Sequence, residues 1–273
     1  SFSHGGGEGR NPFYQDYLAS AHNLTVLNLP QYRNLDNIST ISILNNNGFL
    51  DQVKPRYVLI EASEKYALAG LPPQIDFSAS LSGQELQRLG TVTYGTVPDQ
   101  KRTGLIDVSC FSQANFKLVR NSACYLFSDR AIGSPVYRAK LDRPFFSVAN
   151  PATLLFLDGD LKSCNSTTPE KVAQLNDYLN QLSDRLAGKG ITLIYMPCVD
   201  KYDLYRDFIV NNHYPGNIFF DQMRKLPRRY LFVDTKAQLQ EELHKGEKDI
   251  FYADDTHWSW KASKKISESL RLR

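Results

Sequence analysis

The run Tyr252-Ala253-Asp254-Asp255-Thr256-His257-Trp258-Ser259 places two carboxylates within three residues of an imidazole. A carboxylate that close can hold a histidine in one tautomer and stabilise its protonated form, which is the base half of a nucleophilic serine system. The start of the chain, Ser1-Phe2-Ser3-His4-Gly5-Gly6-Gly7, supplies hydroxyls that read as the nucleophile half, Ser1 first and Ser3 as its neighbour. The three glycines are not a phosphate loop, because no Lys-Ser/Thr pair follows them. His4, His22, His213 and His244 lack companion ligands and read as surface residues, so no metal is expected. Cys110, Cys124, Cys164 and Cys198 form no Cys-x-x-Cys pair. Cys110 and Cys124 could bridge in an oxidising compartment, or all four could be unpaired thiols.

Positioning those groups requires a scaffold, and the hydrophobic pattern describes one. Pro12 to Ala21 is helix-like, with Phe13, Tyr17 and Leu18 on one face. Thr25 to Leu29 is a short β-branched run stopped by Pro30, and Leu35 to Leu50 has helical spacing that Gly48 can end. Tyr57 to Glu61 is an apolar strand of the kind buried in a parallel sheet. From Leu71 to Asn150 the alternation fades into turn-rich sequence, with Phe145 to Val148 as one candidate strand; this stretch reads as a cap or insertion.

The alternation then returns. Thr153 to Leu157 is a strand, and Thr168-Pro169-Glu170 opens a long amphipathic helix ended by Gly188 and Gly190. Ile191 to Met196 is a buried strand and Tyr230 to Val233 another strand, with helices expected near 201–208, 216–225, 236–244 and in the tail through Ala262, Ile266 and Leu270. Strands alternating with helices imply a parallel sheet covered on both faces, with active residues on loops beyond the strands' carboxyl ends. The Ser1 turn, the turn after Glu61, the Pro197–Lys201 turn and the Asp255–His257 loop would then share one edge.

Composition narrows the partners. The net charge is +3 and no Lys/Arg run is interleaved with aromatics, so nucleic acid is not expected as a partner. No apolar stretch approaches the roughly 18–20 residues that span a bilayer.

Taken in order, Ser1-Phe2-Ser3, Ile60-Glu61-Ala62-Ser63-Glu64-Lys65-Tyr66, Leu154 to Asp158, Met196-Pro197-Cys198-Val199-Asp200-Lys201 with Tyr205, and Asp255-Thr256-His257-Trp258 resemble the SGNH-like proteins of the alginate O-acetyltransferase type. Asp-Thr-His-Trp is the most specific of these motifs. The resemblance implies an α/β, SGNH/flavodoxin-like parallel sheet with helices on both faces and a central insertion, a single domain over 1–273 with 71–150 as the cap. It implies Ser1 as nucleophile, His257 as general base and Asp255 as the orienting acid, with Asp254 as its rival because ordinary SGNH esterases place the acid three residues before the histidine. The implied activity is O-acetyl transfer to a polysaccharide hydroxyl through an acyl-enzyme, without cofactor. Ester hydrolysis at the same triad and a non-catalytic carbohydrate-binding or scaffold role are the alternatives. Partners would be a polysaccharide acceptor and an acyl donor, for which a membrane acyl-transfer protein is one source, in a periplasmic or extracytoplasmic setting.

The sequence departs from the family's pattern at the oxyanion hole. The stretches that should carry its Gly and Asn read Asn28-Leu29-Pro30 and Glu61-Ala62-Ser63-Glu64. Asn28 and Asn46 are the remaining side-chain candidates for oxyanion donors. Glu64 and Lys65 are expected to pair locally and brace the site. Lys201 either does the same or binds an anionic sugar, and Trp258 is a packing anchor or a substrate platform.

Overall fold

The computed structural model describes residues 14–29, 35–85 and 113–272. Ser1, Ser3, His4, Pro12 and Cys110 lie outside the described residues. Helix α1 spans Tyr14–His22, α2 Asn37–Asn46 and α3 Phe49–Val53. The helix expected from Leu35 to Leu50 is therefore two helices. Gly48 adopts φ +74°, a left-handed conformation that interrupts the ladder and that glycine adopts without strain. Asp36 caps α2 by accepting from the Ser39 N–H at 2.9 Å.

Strand β1 (Tyr57–Ser63) runs into the single turn α4 (Glu64–Ala67). Beyond it come α5 (Gln113–Cys124), β2 (Val136–Lys140), β3 (Thr153–Leu157) and α6 (Asp158–Ser166). The long helix α7 (Pro169–Ala187) starts on a Thr168 cap with Pro169 in its first turn, as the sequence signals require. Then follow β4 (Thr192–Cys198), α8 (Lys201–Tyr205) with a 3-10 turn at Arg206–Phe208, and α9 (Phe219–Lys225). Strand β5 (Leu231–Phe232), α10 (Thr235–His244) and α11 (Trp260–Ser269) complete the order.

The parallel sheet has the order β1-β4-β5 and is flanked by helices. Tyr57 pairs with Thr192 through to Ser63 with Cys198, so β1 and β4 end side by side. Helices α7 and α10 both contact β4, α7 carries α2 and α9, and α1 packs on α11. The apolar stripe Val172, Leu175, Leu179, Leu182 and Leu186 of α7 is almost fully buried, which is what fixes this helix on the sheet.

Three expectations are corrected. Thr25 to Leu29 is not a strand: it is irregular and Leu27 is 59 % exposed. Among the described residues β1 pairs only with β4, so this run meets no strand to pair with, and β propensity without a neighbour produces none. Thr153 to Leu157 is a strand but not one of the parallel sheet, because it pairs antiparallel with β2, Val136 opposite Leu157. Apolar alternation reports burial and is blind to direction. Phe145 to Val148 is bent chain. Its backbone bonds leave the ladder geometry: the Phe145 carbonyl accepts from the Asp249 N–H at 2.9 Å and the Phe146 N–H donates to the Pro151 carbonyl at 3.1 Å.

Residues 71–150 contribute more than a cover. Ala139, Leu141, Phe145 and Phe146 join the same buried cluster as Leu193, Tyr205 and Phe251. Cys124, Cys164 and Cys198 are free thiols. No helix among the described residues is long and apolar enough to cross a membrane.

Candidate active site

The Asp255–His257 segment is the tip of a loop closed at its base. Phe251 and Trp258 form an isolated antiparallel bridge, and both rings are buried. The Tyr252 N–H donates to the His257 carbonyl at 3.2 Å, and the Ser259 N–H to the Ile250 carbonyl at 2.8 Å. Below the bridge, Asp249 takes a left-handed backbone (φ +59°) and accepts from the Ser147 N–H at 2.7 Å. Ser259 then caps α11 through Lys261 N–H. The tip is thus short, doubly anchored and followed at once by a rigid helix.

Within the tip, His257 Nδ1 lies 2.7 Å from Asp255 Oδ1, and the His257 backbone N–H donates to the same oxygen at 3.0 Å. The Asp255 carboxyl sits below its ordinary pKa: partial burial works against ionisation, but the ring and backbone N–H groups of His257 outweigh it. With Nδ1–H committed to the carboxylate, Nε2 is the nitrogen able to take a proton. Asp254 is exposed and points its influence elsewhere, acting electrostatically on Lys201. The imidazole therefore pairs with Asp255, not with Asp254.

Lys201, at the start of α8, is only 1 % exposed. Its Nζ donates to the carbonyls of Tyr252, Ala253 and Asp255 at 2.7, 2.9 and 3.0 Å. It also lies 5.2 Å from the Phe146 ring centroid. Burial pushes the ammonium down to about 8, with Asp255, Asp254 and Asp160 pulling the other way. The sugar-binding expectation for Lys201 is corrected: all three donors are spent inside the protein.

A second correction concerns Glu64 and Lys65, which do not pair with each other. Lys65 Nζ bonds Asp160 at 2.9 Å and lies 3.7 Å from Asp200. Glu64 is buried and accepts from the Asp200 backbone N–H at 2.9 Å. Ser63 Oγ donates to Asp200 at 3.1 Å, and Lys236 pairs with Asp203 at 2.7 Å. Four buried carboxyls thus share two ammonium groups. Burial, with Asp203 and Asp200 nearby, raises Glu64 well above the carboxylate range, and burial with Asp160 raises Asp200 to about 8. Asp200 therefore holds its proton at neutral pH.

This network ties the turn after β1 to the turn after β4 and to the starts of α6 and α10. Thr235 adds to it, donating to the Pro197 carbonyl at 2.5 Å and accepting from the Val199 N–H at 3.2 Å. The carboxyl edge of the sheet is therefore the rigid base from which Lys201 reaches the loop. Asp160, Asp200, Asp203 and Lys236 were not singled out from sequence. Their signal was available: Asp200-Lys201-x-Asp203 follows directly on a strand too apolar to end at solvent.

The remaining candidates divide. Asn46 is not an oxyanion donor, because its amide donates to the Phe77 and Ala79 carbonyls at 3.0 and 2.8 Å. Asn28 is exposed in the irregular 24–29 stretch. Trp258 is buried as an anchor, whereas Trp260, two residues on, is 47 % exposed. A cleft of about 350 Å³ opens beside the carboxyl end of β1, lined by Asp36, Asn37, Ile60, Ala62, Tyr66 and Tyr195 among others. No group of three or more His, Cys, Asp or Glu among the described residues could hold a metal ion.

Residues 154–269 match the family model described as SGNH hydrolase-like domain, acetyltransferase AlgX. That span begins in β3 and ends with α11, so it contains β4, the Lys201 helix and the whole Asp255–His257 loop. No curated protein and no solved structure matches the chain. The match supports an enzyme of the acetyltransferase or hydrolase type. Over residues 154–269 the chain is similar to that SGNH hydrolase-like family, in keeping with the motifs of the Asp255–His257 loop.

Proposed function

We propose that the protein transfers an acetyl group to a polysaccharide hydroxyl through a serine acyl-enzyme. The observation that carries the reading is the 2.7 Å contact between Asp255 and His257 on a loop inside the family-matched span. Asp255 fixes the imidazole tautomer and stabilises the imidazolium, and His257 Nε2 takes the proton of Ser1 Oγ as that oxygen attacks the acetyl carbonyl. The tetrahedral intermediate collapses with return of the proton to the departing donor oxygen. A sugar hydroxyl, deprotonated by the same imidazole, then attacks the acetyl-enzyme, and the imidazolium returns that proton to Ser1 Oγ as the acyl–serine bond breaks.

Ser1 lies outside the described residues, and its part in this scheme is carried by the family motif. With the Asn46 amide spent on the 77–79 turn, the backbone N–H of Ser1 and the side chain of Asn28 remain as oxyanion donors. The acyl donor would come from a partner, a membrane acyl-transfer protein being one source, and the setting would be the periplasm or another extracytoplasmic space.

Plain hydrolysis uses the same groups with water as acceptor. Incubation with a chromogenic acetyl ester, with and without oligosaccharide, separates the two. Acetylated sugar formed at the expense of free acetate supports transfer; acetate alone at every acceptor concentration supports hydrolysis. A folded protein that consumes no ester under either condition favours the carbohydrate-binding or scaffold role.

A further inference from the structure

We infer that Lys201 is a positioning residue for His257: its ammonium pins the tip of the Asp255–His257 loop to the carboxyl edge of the sheet. The inference takes its catalytic meaning from the acyl-transfer reading, while its structural content stands on separate geometry. An ammonium has three donors, and here the loop offers three acceptors, the carbonyls of Tyr252, Ala253 and Asp255. The acceptors bracket the segment that holds the acid, and the last of them belongs to Asp255 itself. All three are neutral carbonyls, so the lysine is not there as one half of an ion pair.

Burying an ammonium with no carboxylate in ion-pair contact is costly, so an apolar residue would be the stable choice at a purely structural position. What the lysine supplies is direction: one point charge that aligns three carbonyls fixes the height and tilt of the tip. Phe146 flanks the ammonium, and the stem springs from helix α8, whose cap residue Asp200 and first-turn Asp203 belong to the buried carboxyl network. Asp255 and Asp254 on the loop and Asp160 on α6 face the ammonium and favour its charged form against burial. Loss of a proton would leave two donors for three carbonyls, so the tip loosens on the alkaline side of neutrality.

The test uses the whole chain, labelled with ¹⁵N, as wild type, Lys201→Met and Lys201→Arg. Methionine keeps the stem and removes the donors. In Lys201→Met the amide and ring resonances of Ala253 to Trp258 shift while those of α10 stay, and kcat on an acetyl ester falls about 10- to 100-fold with KM within about twofold. Lys201→Arg recovers part of kcat. In wild type the amides of Ala253 to His257 titrate together with a midpoint near 8, and Lys201→Met abolishes that titration.

Unchanged loop resonances and unchanged kcat in Lys201→Met overturn the inference. So does a perturbation spread evenly over the molecule. Should Lys201→Met fail to fold, Lys201→Gln, which cannot donate to all three carbonyls, is read in the same way, and unchanged loop resonances with unchanged kcat overturn the inference. A loop that titrates as described in a protein without acyl chemistry would refute the proposed function and leave the pin standing.

Discussion

One oxygen of Asp255 grips His257 twice: Oδ1 is 2.7 Å from the ring Nδ1 and 3.0 Å from the backbone N–H of the same residue. The carboxylate therefore fixes both the tautomer of the imidazole and the backbone from which it projects. Asp255→Asn should lower kcat on an acetyl ester by about 10²- to 10⁴-fold, because an amide can present N–H to Nδ1 and select the wrong tautomer. Asp254→Asn should stay within about twofold of wild type. Steady-state kinetics of the two variants side by side checks the assignment, and equal losses would contradict it.

The buried carboxyl cluster predicts an unusual pH dependence of stability. Asp200 keeps its proton up to about 8 in the folded protein, whereas in the unfolded chain it releases it near the ordinary carboxylate value. Between those values the native state binds more protons than the unfolded state, so unfolding free energy falls as pH rises through that window. Asp200→Asn removes this contribution and flattens the slope. Urea denaturation at several pH values between about 4 and about 8 reads it directly, and an identical slope in wild type and variant would refute the account.

Lys65 is the cation that both Asp160 and Asp200 face. Lys65→Met leaves that pair of buried carboxyls without it, for which up to about 3–5 kcal/mol of destabilisation is expected at about pH 8, where Asp200 begins to lose its proton. The loss should be smaller at about pH 5, where Asp200 holds its proton and is not an ion-pair partner. Denaturation midpoints at about pH 5 and about pH 8 distinguish this from simple loss of packing, which would be the same at both.

Trp258 closes the loop from below, bridged to Phe251 and buried among the core residues. Trp258→Ala should cost about 3–5 kcal/mol and take esterase activity with it. Trp258→Phe should keep most of the stability. Thermal melts of the two variants, read beside their activity, check whether anchoring is the residue's role.

The loop chemistry was legible because it is local: Asp255 and His257 are two residues apart, and their contact needs only a tight turn. The amphipathic stripe of α7 and the apolar run of β4 were legible for the same reason, a period in one segment. What sequence concealed was pairing between distant segments. Thr153 to Leu157 has a pattern that suits a parallel or an antiparallel neighbour, and only the adjacency of β2 decides. Glu64 and Lys65 are sequence neighbours that look like an ion pair. The turn of α4 instead sends one into the sheet edge beneath Asp200 and the other toward Asp160, and no local rule predicts that. Asn46 carries an amide suited to an oxyanion hole, but the fold spends it on the carbonyls of the 77–79 turn.

The most direct measurement is serine-directed fluorophosphonate labelling of the folded protein, read by intact mass and by mapping of the modified peptide. The account predicts a single adduct on Ser1 that disappears in Ser1→Ala and is strongly reduced in His257→Ala. A folded wild type that takes no label, or an adduct on another serine that persists in His257→Ala, would contradict it.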